Sequence, residues 1–324
     1  MNRTRTANTA MHAEPSSPIP LSARASPAAS GAVPLRPMPA APAGGSAAAE
    51  PRSIGSLIQE ANQLSAEQVE RILAHQRQHG LRFGEAAVAL GLAKPDDVLW
   101  ALSQQFQYPN ALKQDLHRDL IVAAHPFSPQ AEVFRSLRSR LVMQLQSQGE
   151  IRRAVAIVSP QHGDGKSYVA ANLAIAFSQL GGRTLLLDAD LRQPRQHELF
   201  GVDNSSGLSS ILSGRETDRV VHPIAGLPSL YVLPVGTLPP NPLELVERPA
   251  FALLLRDLLA KFDHVIVDTS AGEVGSDGSV VAARCGAALA IARRGRSQMR
   301  GMQALVDLLR AGPALLVGAL LNDH

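Results

Sequence analysis

Residues 152–182 read RRAVAIVSPQHGDGKSYVAANLAIAFSQLGG. A short aliphatic, β-branched run, a glycine-rich turn and an apolar segment closing on two glycines predict strand, loop and helix in that order. Within the loop, Gly165, Lys166 and Ser167 complete the pattern G-x-x-x-x-G-K-[ST], and Pro160 stands where that pattern has its first glycine. A loop of this kind cradles phosphates on backbone N–H groups at a helix N-terminus, while the lysine reaches the terminal phosphates and the hydroxyl ligates magnesium. Gly163, Asp164, Gly165, Lys166, Ser167 and Tyr168 are therefore candidate nucleotide contacts, with Ser167 also a metal ligand.

The chain beyond this segment supports the context that such a loop needs. RTLLLDADL, LYVLPV, FDHVIVDTS, AALAIARR and ALLVGALLN read as further buried strands, and FALLLRDLLAKF and QMRGMQALVDLLRAG as helices between them. Continuous aliphatic strands alternating with helices predict an α/β fold with a mainly parallel sheet covered on both faces. Asp188 and Asp190, two apart at the end of one strand, point to the same side, and Asp268 ends the strand HVIVD. Such a sheet binds ligands at the carboxyl ends of its strands, so these acids are expected beside the loop. Magnesium takes oxygen ligands, and an attacking hydroxyl needs a carboxylate to orient it and accept its proton.

Ahead of this region, residues 1–51 are rich in Pro, Ala, Ser and Gly and predict a disordered arm. Residues 52–110 repeat internally at a 29-residue offset that pairs Gly55 with Gly84, Ile58 with Ala87, Val69 with Val98 and Leu73 with Leu102. Each copy predicts two short helices, the second opened by Ser65 or Pro95. Residues 111–150 form a linker containing SPQAEVFRSLRSRLVMQ, an amphipathic helix with Phe134, Leu137 and Leu141 as its apolar stripe and Glu132, Arg135 and Arg138 close to one face. Residues 151–324 are the nucleotide-binding domain. The net charge of +3 calls for no nucleic-acid partner. The single Cys285, within ARCGAALAI, reads as a small core residue suited to a reducing compartment, and the ten histidines form no zinc motif. No apolar run reaches the roughly 20 residues of a membrane helix, so a membrane role would depend on a partner.

With these residues in view, 130–324 resembles the bacterial tyrosine kinases of polysaccharide export. The order of helical repeat followed by kinase domain is similar to the chain-length-determinant kinases of EpsG type. The most specific stretch is LLLDADLRQPRQHELFGVDNSSGLSSILSG, where Asp188, Asp190, Arg192, Pro194, His197 and Phe200 follow the family's order. The resemblance implies Mg-ATP bound at Lys166 and Ser167, Asp188 as catalytic base, magnesium contacts at Asp190 and Asp268, and adenine read by Asn322. It further implies self-association through Glu132, Arg135 and Arg138, and an integral-membrane chain-length partner that would place a cytoplasmic protein at the inner membrane. The chain ends at LLNDH without the tyrosine cluster such kinases phosphorylate; Tyr108, Tyr168 and Tyr231 are its only tyrosines. An ATPase switch of MinD/ParA type shares the fold, although Gln161 stands where that class has a signature lysine; a nucleotide-binding scaffold is the third reading. The repeat resembles the N-terminal domain of type II secretion and pilus ATPases, whose tandem motifs can bind cyclic di-GMP. Arg82, Gly84, Gly91 and Gln105 match that motif, whereas Ser53 and Asn62 depart from it.

Overall fold

The computed structural model describes residues 53–105, 117–147, 152–215 and 219–323. The expected N-terminal arm lies outside them. The internal repeat forms four helices, α1 (Ile54–Ala61), α2 (Ala66–His79), α3 (Phe83–Ala89) and α4 (Pro95–Gln105), so the 29-residue offset carries the start of α1 onto that of α3 and the start of α2 onto that of α4. Ser65 caps α2 through a reciprocal pair: its hydroxyl accepts from Gln68 N–H at 3.2 Å, and its own N–H donates to the Gln68 side chain at 2.8 Å. Ile58, Ile72, Ala86, Ala87 and Ala101 are fully buried in a core belonging to these helices, with Val98 and Trp100 packed on it. The repeated glycine has a cause in the second copy, since a Cβ on Gly84 would sit 2.6 Å from Val98.

Beyond a short turn of helix, α5 (Ile121–Ala124), comes α6 (Pro129–Gln146), capped by Ser128 with Pro129 at its first position. Its stripe behaves as the sequence predicts: Phe134 and Leu141 are buried and Leu137 packs beside them.

The α/β part begins with β1 (Ala154–Val158), then α7 (Lys166–Ser178), β2 (Thr184–Ala189), α8 (Gln196–Phe200) and α9 (Leu208–Leu212). It continues with β3 (His222–Ile224), β4 (Leu227–Leu233), α10 (Pro242–Glu247), α11 (Pro249–Lys261), β5 (His264–Thr269), α12 (Asp277–Cys285), β6 (Gly286–Arg293), α13 (Met299–Ala311) and β7 (Leu315–Asn322). The seven strands lie in the order β3-β4-β2-β5-β1-β6-β7. Every pairing is parallel except the antiparallel β3–β4 edge, which the sequence does not announce.

Alternate strand residues serve opposite faces, as a period of two requires. Ala154, Ala156 and Val158 of β1 face the layer formed by α11, α12 and α13, and Val155 and Ile157 face α6 and α7. Helix α7 is apolar all round because it is nearly all buried, from Val169 to Ser178 without a break. That central strand and buried helix hold the loop between them, and β2 and β5 end beside it: Asp188 pairs with Asp268 in register, as Leu186 does with Ile266. Among the described residues no helix is long and apolar enough to cross a membrane.

Candidate functional site

Seven of the sequence-predicted residues, Gly163, Gly165, Lys166, Ser167, Tyr168, Asp190 and Asn322, line one cleft of about 350 Å³ at the carboxyl ends of the strands. Asp119, His162, Gln193, Arg195 and Arg293 complete its wall. Asp164, Asp188 and Asp268 lie buried beneath it and do not form its lining.

The loop is held by one of its own carboxylates and by side chains from β6, β7 and the turn after β6. The Asp164 carboxylate accepts from Gln161 N–H at 2.9 Å and from the Ser297 hydroxyl at 2.6 Å, so it shapes the turn. The Asn322 amide donates to the Asp164 carbonyl at 3.0 Å, and Arg293 donates to the Gly163 carbonyl at 3.1 Å. Gly165 opens α7 with φ +98°, and a Cβ there would meet the Asn322 amide nitrogen at 2.1 Å, so both conformation and space demand glycine. Lys166 is buried, its ammonium 3.3 Å from the Ser159 hydroxyl. The α7 N-terminus and this ammonium give the floor of the cleft the positive character that phosphate needs.

The acids have distinct surroundings. Asp188 is fully buried and accepts three backbone N–H groups: Asp190 at 3.1 Å on one oxygen, Arg195 at 3.2 Å and Gln196 at 3.0 Å on the other. Burial first, and then the Asp268 charge, hold its carboxyl well above the usual carboxylate range despite those bonds. Asp190 borders the cleft and accepts from the Arg192 and Gln193 N–H groups at 3.2 and 3.0 Å. For Asp268, burial and the Asp190 charge push the pKa up to about 6, against the pull of the Ser167 hydroxyl, the Gln196 amide and the Lys166 ammonium. Tyr168 stacks edge-on against Phe134 at 5.7 Å between ring centroids, and burial together with Asp119 raises its hydroxyl pKa.

Sequence reasoning missed Gln196. Its side-chain amide donates to the Ser167 carbonyl at 3.1 Å and to Asp268 Oδ2 at 2.8 Å. It also missed Asp277, which receives Arg192 Nε at 2.5 Å. No local pattern marks either position, because both acquire their partners through the fold.

The donor set fits a small hard cation. Asp268 Oδ1 is buried with no hydrogen-bond partner among the described residues, next to a serine hydroxyl and a cleft-lining carboxylate. Among the described residues no group of three or more His, Cys, Asp or Glu side chains forms a metal cage by itself. Magnesium does not need one, since it is held by one or two carboxylates together with substrate phosphates.

Comparison with known proteins agrees with this geometry. The ParA family, described as NUBPL iron-transfer P-loop NTPase, matches residues 150–269. The putative tyrosine-protein kinase CapB of Staphylococcus aureus is 32% identical over 215 residues, covering 65% of this chain and 92% of that protein. The tyrosine-protein kinase ptk of Acinetobacter johnsonii is 31% identical over 214 residues, 66% of this chain but only 29% of that much longer protein. Among solved structures, the chimerical protein CapA2B2 superposes with a TM-score of 0.59 at 34% identity, covering 64% of this chain and 90% of the other.

Proposed function

The chain belongs to the bacterial tyrosine-protein kinases, and from that premise we propose that it transfers the terminal phosphoryl group of ATP to protein tyrosines in the control of exopolysaccharide biosynthesis, chain length and export. The observation that carries the reading is the convergence of the loop, Lys166, Ser167 and Asp190 on one cleft, with Asp188 and Asp268 directly beneath.

In this reading the loop N–H groups and Lys166 bind and orient the phosphates, the main task where transfer depends on positioning and electrostatics. Ser167, Asp190 and Asp268 would hold magnesium, which when bound would supply charge neutralisation. Asp188 accepts the proton of the incoming tyrosine hydroxyl, a role its raised pKa favours. Asn322, which lines the cleft, reads the adenine in this proposal. In this proposal a partner presents the acceptor tyrosine. That partner is an integral-membrane chain-length determinant, which keeps this protein peripheral to the inner membrane.

The division into an arm (1–51), a helical repeat (52–110), a linker with a self-association helix (111–150) and a kinase domain (151–324) belongs to the same proposal. So does the EpsG-type arrangement, in which the repeat resembles the N-terminal domain of secretion ATPases. The separate core of α1 to α4 supports an independent repeat unit. Arg82, exposed at the start of α3, is its candidate phosphate contact for cyclic di-GMP.

The test uses radiolabelled ATP with magnesium, a glutamate–tyrosine copolymer as acceptor, and the wild type beside Lys166→Met. Labelled phosphotyrosine in the wild type, lost in the variant, supports the kinase. Phosphate release without labelled tyrosine would leave a ParA-type ATPase switch, and binding without turnover a scaffold.

A further inference from the structure

Gln196 is the first residue of α8 and is fully buried. Its backbone N–H donates to Asp188, and its side-chain amide donates both to the Ser167 carbonyl in the loop and to Asp268 Oδ2 at the end of β5. One residue thus joins all three segments that make the site. Its own Oε1 and Asp268 Oδ1 are both buried without a hydrogen-bond partner among the described residues. A buried carboxylate oxygen left unmatched is costly, and the cost falls when a cation supplies the missing positive charge.

We propose that Gln196 is a positioning residue for the divalent cation: by engaging Asp268 Oδ2 and anchoring to the Ser167 carbonyl, it fixes the carboxylate so that Oδ1 remains free for the metal. The inference rests on the Mg-ATP reading of the cleft. Gln196 touches neither phosphate nor tyrosine in this scheme; it acts through Asp268 and Ser167. Its removal therefore affects the cation far more than the nucleotide, which the loop and Lys166 hold independently.

The test is carried out on the full chain with methylanthraniloyl-labelled ATP as the fluorescent probe, titrated with chelator present and then at fixed probe with increasing magnesium. Gln196→Met matches the side chain's length without its donors. The expected result is an approximately tenfold rise in the magnesium concentration giving half-maximal enhancement, with chelator affinity within twofold of wild type. Wild-type magnesium dependence in the variant overturns the proposal. So does an equal loss of affinity with and without magnesium, which is the behaviour of a mere structural brace. Should Gln196→Met fail to fold by circular dichroism, Gln196→Asn, whose amide is one methylene short of Asp268, faces the same two criteria. A wild-type chain that binds no probe under either condition counts against the Mg-ATP reading itself, separately from the role of Gln196.

Discussion

Asp188 faces two demands at once. Its carboxylate is the acceptor that organises the turn from Asp190 to Gln196, and it is also the proposed base. Asp188→Asn places an amide N–H₂ where at least one backbone N–H already donates, so a buried donor is left facing a donor. The expected cost is roughly 1–3 kcal/mol of stability, together with a fall in transfer of about 10²–10⁴-fold. Chemical denaturation and single-turnover transfer at saturating nucleotide separate the two effects, and transfer falling no more than the folded fraction would remove Asp188 as base. Asp268 gives a pH prediction of definite sign. Its pKa is raised from 3.8 to about 6 on folding, so the native state binds the extra proton between those values and stability falls as pH rises through that window. The metal-free term is on the order of 3 kcal/mol. Melting in chelator at pH 4.5 and pH 7 should show about 2 kcal/mol of it as a difference between wild type and Asp268→Asn, a difference that includes the release of Asp188 from the Asp268 charge; His264, whose pKa burial lowers, contributes equally to both proteins. A parallel pH response in the two proteins would count against the shift.

At the scale of elements, the repeated glycines predict opposite outcomes for the same substitution. A Cβ at Gly84 meets Val98 at 2.6 Å, whereas at Gly55 it finds only the Phe83 ring at an ordinary 3.7 Å. Gly84→Ala should therefore destabilise the four-helix unit by about 1–3 kcal/mol, and Gly55→Ala should stabilise it by roughly 0.5–1 kcal/mol through helix propensity. Trp100 is the single tryptophan of the chain and packs on that core, so intrinsic fluorescence during urea unfolding reads this unit selectively. Two glycines answering alike would deny the packing difference. The contrast also shows where sequence reading stops. The 29-residue offset reveals both glycines, but only the approach of α3 to α4 distinguishes them. In the same way β1, β2, β5 and β6 are legible because strands buried on both faces must be continuously aliphatic, and β4 and the edge strand β7 are legible from their aliphatic runs alone. The three residues of β3 have no such pattern and are held by pairing with β4. The loop and the three aspartates can be read at the strand ends, while Gln196 becomes visible only once the chain after β2 folds back over Asp188.

For the whole molecule, assembly depends on which parts of α6 are free to meet another copy. The sequence places Glu132, Arg135 and Arg138 close to one helical face, yet the two arginines serve the chain's own fold. Arg138 donates to the Ala176 carbonyl of α7 at 2.7 Å, and Arg135 reaches Gln179 at 3.4 Å, the Pro126 carbonyl and Glu132 at 2.9 Å. Glu132 is the outward member, its side chain 66% exposed against 12% for Arg135. Charge reversal at the arginines would therefore loosen α6 from α7 as well as disturb any subunit contact, and the two causes would be indistinguishable. Substitution at Glu132 separates them, because an exposed i,i+3 pair contributes only about 0–1 kcal/mol to the monomer. Glu132→Ala should leave the melting curve nearly unchanged and lower the mass measured by light scattering at concentrations where the wild type self-associates. Arg138→Ala should lower stability by about 1 kcal/mol or more through the lost charge-assisted bond. If Glu132→Ala assembles as the wild type does, the outer face of α6 is not the subunit contact, and the arginines are explained by their intramolecular bonds alone.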